Sequence, residues 1–214
     1  MPGAMLGPVN YLGHVAVALA TGRDDPAFVL GSALPDLASM AGVRFDRLLL
    51  PRAVAAGVAC HLEADAVFHA HPVFRDGSAA LRRDLHGLGL PTGPARAIGH
   101  AGWELLLDGA FVGGPIERAH RSASLCADTV LPALSPTHQA RWGALIAGGL
   151  PARLGYDDPS WVVDRLFTML VRRPRLSFDE ARKPQVVEVM AGHQEQVLAV
   201  AGAVVGDLAV GRQR

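Results

Sequence analysis

Apolar residues along this chain recur at intervals of three and four, without a sustained alternation of period two, so the pattern predicts helices. The stretch from Arg52 to Phe74 places Val54, Val58, Leu62, Asp65, Ala66 and His69 on neighbouring turns. Pro51 stands at its entry and Pro72 near its exit. Pro94 to Val112 reads as a second helix, bounded by Gly93 and by Gly113-Gly114-Pro115. The same spacing predicts helices over Val9–Ala20, Pro26–Ser32, Ile116–Val130, Pro136–Ala147, Pro159–Val171 and Phe178–Gly206. Pro or Gly marks almost every junction, and no connection has the length of an interdomain linker. The expectation is an all-α chain, a single-domain helical bundle over residues 1–214.

Composition narrows the class. With 214 residues, half of them hydrophobic and 19% charged, the chain is long and apolar enough to fold around a core. Twenty Lys+Arg balance twenty Asp+Glu, which argues against nucleic acid or an anionic membrane as the main partner. Two cysteines, Cys60 and Cys126, make no disulfide framework. The longest apolar run, Val197–Val210, is interrupted by Asp207 and falls short of the roughly 20 residues of a membrane-spanning helix. Residues Met1–Asn10 lack the basic stretch that opens a secretory signal. A soluble, cytoplasmic protein is expected.

Nine histidines remain to be placed, and several fall beside acids. His14 follows Asn10-Tyr11-Leu12-Gly13 inside an apolar helix, and Asp36 ends Gly31-Ser32-Ala33-Leu34-Pro35, a Gly- and Pro-marked break. His61, Asp65 and His69 follow at spacings of four, as do His100, Glu104 and Asp108, and such residues share one face of a helix. Imidazole nitrogen and carboxylate oxygen suit a divalent cation such as Mn²⁺, Fe²⁺ or Zn²⁺, and facing helices can build such a site. Plainer roles stand beside this one. A single histidine in an apolar helix is commonly a hydrogen-bonded core residue. Asp36 after Pro35 has the character of a helix N-cap. A His/Asp pair at i,i+4 is often a solvated surface pair. Glu63 lies off the His61–Asp65 face, and Asp108 is placed at the start of an outer face. His86, His120, His138 and His193 have no acidic neighbour at helical spacing and read as structural or exposed.

The same segments resemble the bacterial acyl carrier protein phosphodiesterase family. The matching pieces are Asn10-Tyr11-Leu12-Gly13-His14, Gly31-Ser32-Ala33-Leu34-Pro35-Asp36, and Ala56-Gly57-Val58-Ala59-Cys60-His61 with Asp65 four residues on. Trp103-Glu104 and Arg172-Arg173-Pro174-Arg175-Leu176 follow in the family's order. The resemblance implies an all-helical fold like the HD-type phosphohydrolases, with Mn²⁺ as the usual metal. It also implies an activity, release of 4′-phosphopantetheine from holo-acyl carrier protein. Carried over, it makes Asp36, His61 and Asp65 the leading site residues, with His14 next, and supports Glu104. Two departures stand out. Phe68-His69 replaces the family's Thr-Asp, and His100 stands where the family has an acid.

On this basis His14, Asp36, His61, Asp65 and His100 are the expected metal ligands, with Asp36 and Glu104 catalytic and Glu104 orienting or deprotonating water. Arg172, Arg173 and Arg175, with His69, are the expected substrate contacts, since Arg offers a bidentate fork to phosphate or to an acidic carrier protein. An exposed basic turn is the plainer account of the arginines. The alternatives are another HD-like or zinc phospholipase C-like phosphoesterase, or a helical domain without catalysis.

Overall fold

The structure, a computed structural model, describes residues 11–147 and 155–210. It is all-α. Nine α-helices occur among the described residues: α1 (Tyr11–Ala20), α2 (Pro26–Ala41), α3 (Arg52–Ala70), α4 (Pro72–Gly87), α5 (Thr92–Gly109), α6 (Pro115–Ser124), α7 (Pro136–Ala147), α8 (Pro159–Leu170) and α9 (Lys183–Val210). The β pairing among these residues is one isolated bridge between Phe45 and Leu134. Val9 and Asn10, with which the first predicted helix and the first motif begin, lie outside the described residues.

Three helix starts, those of α2, α4 and α8, follow one chemical pattern. A polar residue accepts a backbone N–H, and proline, which has none to offer, takes the next position. Asp25 accepts from Ala27 before Pro26, and Asp158 accepts from Ser160 before Pro159. His71 does the same through Nδ1 for Val73, ahead of Pro72. At the far end of α2, Gly42 adopts φ 63°, the left-handed conformation that glycine reaches without a Cβ clash.

Three of the differences from expectation have a local cause. The helix predicted to stop at Ser32 runs on through Pro35 to Ala41, at the loss of one intrahelical bond to the Gly31 carbonyl. Asp36 is therefore inside a helix, fully buried, and not an N-cap. The helix predicted to reach Phe74 ends at Ala70, because Pro72 begins α4. That helix was missed, although Phe74, Gly77, Leu81 and Leu85 form its buried stripe among charged residues. Finally, the stretch predicted as one helix from Ile116 to Val130 ends at Ser124 and tightens into a 3₁₀ turn over Ala127–Ala133.

The chain forms two compact units, each gathered from separated segments. Unit 1 holds residues 1–67, 113–153 and 205–214, and unit 2 holds 68–112 and 154–204. In unit 1, α2 packs on α1, α6 and α7. Tyr11, Leu12, Phe28, Leu30, Leu34 and Leu37 lie in its interior, and Trp142 donates from Nε1 to the Ala127 carbonyl. In unit 2, α5 packs on α4, α8 and the 3₁₀ turn Gly155–Asp157, around Leu81, Leu85, Ile98, Leu105 and Leu166. The C-terminal apolar run is the last part of α9 and buries only one face, through Val197, Ala201, Val204 and Leu208. No helix among the described residues is long and apolar enough to cross a membrane.

Candidate metal centres

In unit 1 the backbone crossing of α2 and α3 positions the chemistry. A Cβ on Gly31 would lie 2.2 Å from the Val54 carbonyl oxygen, and one on Gly57 would lie 2.1 Å from the Phe28 carbonyl oxygen. Only paired glycines permit this approach. It carries the Ser32 carbonyl to His61, whose Nδ1 lies 2.9 Å away. A carbonyl accepts only, so Nδ1 carries the hydrogen and Nε2 keeps its lone pair. The Ser32 hydroxyl is turned back onto the Val29 carbonyl at 2.8 Å.

α1 contributes His14, within a helix buried from Tyr11 to Ala18. Its ring centroid lies 3.8 Å from that of His61. Asp36 enters from α2, with Oδ2 3.9 Å from His14 Nε2 and 3.9 Å from His61 Nδ1. One donor atom from each of the three residues lies within 4.8 Å of the others. Burial pushes the His61 imidazole below its usual pKa, against the opposing effects of the Ser32 carbonyl and the Asp65 charge. A neutral ring is the form that binds a metal, and histidine ligands usually hand their other N–H to a carbonyl or carboxylate, as His61 does. The donor set thus fits a divalent cation.

Asp65 stands one turn beyond His61, half-buried, and acts on it through its charge. Glu63 is exposed, as expected. His69, His100 and Glu104 form a second group, in unit 2. His69 Nε2 and His100 Nε2 lie 3.0 and 3.3 Å from the same oxygen, Glu104 Oε1. Asp108 is buried, not at the start of an outer face. Arg172, Arg173 and Arg175 lie in the turn after α8, where Arg172 and Arg175 are exposed and Arg173 half-buried. The Arg175 carbonyl of that turn packs so closely on Gly93 that a Cβ there would be 2.0 Å from it.

Two features have no counterpart in the sequence spacing. His193 reaches Asp84 at 2.7 Å, a pairing across 109 residues. His120 is buried against the Tyr11 ring, at 4.9 Å between centroids, and neither ring nitrogen has a hydrogen-bond partner among the described residues. Burial, then the Arg121 charge, pushes its pKa to about 4, with Glu117 opposing. The signal for His120 was its place beside Ala123 on the apolar stripe of α6. No protein-family model, curated protein or solved structure matches the chain.

Proposed function

We propose that this protein is a metal-dependent phosphodiester hydrolase whose ion is held by His14, Asp36 and His61. The observation carrying this reading is the convergence of those three side chains from three helices onto one buried point. When bound, the ion supplies Lewis acidity, lowering the pKa of water and neutralising charge that grows on the phosphoryl oxygens. Asp36 provides the anionic donor, and His61 offers a lone pair whose direction is fixed by its bond to Ser32. Asp65, half-buried on the same helix, is the carboxylate suited to orient the attacking water.

The substrate follows from the resemblance to acyl carrier protein phosphodiesterases. It is a holo-acyl carrier protein in the cytoplasm, losing its 4′-phosphopantetheine. Mn²⁺ is the preferred ion on the same ground, and Fe²⁺ and Zn²⁺ suit the donors too. The basic turn carrying Arg172, Arg173 and Arg175 fits an acidic carrier surface or a phosphate. The test is to incubate chelator-stripped protein with holo-acyl carrier protein and Mn²⁺, following the mass of the carrier. The expected result is metal-dependent loss of 4′-phosphopantetheine, abolished in His61→Ala with helix content retained. An intact carrier alongside hydrolysis of a simple phosphodiester would reassign the substrate. An inert protein under Mn²⁺, Fe²⁺ and Zn²⁺ alike would overturn hydrolysis.

A further inference from the structure

We infer that His69, His100 and Glu104 form a second divalent-cation site, of zinc type and open to solvent, independent of the reading above. His69 comes from the last turn of α3, while His100 and Glu104 lie one turn apart on α5. Both imidazoles present the same nitrogen, Nε2, to one carboxylate oxygen, at 3.0 and 3.3 Å. Their rings stack, with centroids 5.0 Å apart and planes 21° from parallel. Ligands bound tetrahedrally to zinc at 2.0–2.1 Å stand about 3.3 Å from each other, so these spacings already approximate the edges of a zinc polyhedron.

The carboxylate supplies the second, separate observation. Glu104 is 1% exposed, and its other oxygen, Oε2, is buried without a hydrogen-bond partner among the described residues. Two imidazoles share Oε1 while the buried Oε2 is left unsatisfied, an expensive state that a cation relieves. An aromatic wall fixes the geometry. Phe74 meets both histidine rings nearly edge-on at 5.1 Å, and packs at 5.6 Å on Trp103, itself wedged against Gly77.

Access distinguishes this group from the unit 1 triad. The His100 side chain is 51% exposed and His69 31%, so an ion here has a route to solvent and a coordination position left for water or an anion. Two imidazoles with one carboxylate, spaced like the edges of a zinc polyhedron, favour Zn²⁺ over Mg²⁺. Three protein ligands with a fourth position open is the arrangement of exchangeable zinc centres, not of closed structural ones.

The experiment uses the full chain, stripped with chelator and titrated with Co²⁺ as a visible zinc substitute, with bound metal counted per chain. The expected result is a Co²⁺ absorption band that persists in Asp36→Asn, which disables the unit 1 triad. In that Asp36→Asn background the band should be lost on adding His100→Ala, with affinity reduced about 100-fold or more, since removing a ligand exceeds the cost of removing its supporting contact. Glu104→Gln added to the same background keeps the shape of the side chain and should lose the band with helix content intact. Stoichiometry unchanged from Asp36→Asn on adding either His100→Ala or Glu104→Gln would overturn the site. So would a band that disappears in Asp36→Asn alone. Either result leaves the hydrolase proposal standing, because that is judged on the carrier-protein assay.

Discussion

His120 has nowhere to place a proton without cost. It is 1% exposed, lies against Tyr11, and shares α6 with Arg121 and Glu117. With a folded pKa of about 4 against an ordinary 6.5, the unfolded chain binds the proton more readily between those values. Its contribution to stability is therefore full above pH 6.5 and falls as the pH drops towards 4, by on the order of 3 kcal/mol. Denaturant titrations at pH 7 and pH 4.5 should show a smaller acid loss in His120→Leu than in wild type. Equal losses would show that other groups carry the acid sensitivity.

The crossing of α2 and α3 is the element-scale feature on which the unit 1 triad depends. Gly57→Ala must push apart two backbones, an overpacking cost of about 1–3 kcal/mol or more, and should move the Ser32 carbonyl off His61. Gly192 makes the contrasting case. It is exposed within α9, with nothing near the position of an added Cβ. Gly192→Ala should stabilise by roughly 0.5–1 kcal/mol through the unfolded chain. Thermal denaturation of the two variants checks both signs at once, and equal effects would remove the special status of the crossing. Gly31 and Gly57 lie in the segments that supply Asp36 and His61, and their job is to let those segments meet.

For the whole molecule, balanced charge hides a segregation: Asp36, Glu104, Asp108 and Glu117 are buried, as are His14, His61, His120 and His193. A cation binding only the folded state stabilises it by mass action, about 2.7 kcal/mol at a hundredfold excess over Kd. Adding Mn²⁺ to stripped protein should therefore raise the melting temperature. Asp36→Asn removes the anionic donor of the unit 1 triad, so the stripped variant should gain little from Mn²⁺. A normal Mn²⁺ response in this variant would place the stabilising ion elsewhere.

Helix content was legible from spacing because the apolar stripe of a helix is a local property of period 3.6. The expected Pro159–Val171 agrees with α8 to within one residue, and most other helices agree to within a few positions. The misses have local causes: Pro35 was read as a stop though a buried helix carries it, and α4 was hidden by its charged face. The donors were legible too, as acids and imidazoles at i,i+4.

Their grouping was not legible. Spacing along a helix says which residues share a face, but not which distant face lies opposite. Donor atoms gather as His14, Asp36 and His61 in unit 1, and as His69, His100 and Glu104 in unit 2. Close backbone approach at Gly31 and Gly57 assembled the first, and the turn from α3 into α4 above α5 assembled the second. Local periodicity dictates an all-α chain and puts acids and imidazoles that could hold a metal on particular helix faces. Tertiary packing alone decided the pairing of those faces, because contacts between residues far apart in the chain depend on shape and burial that no local pattern encodes.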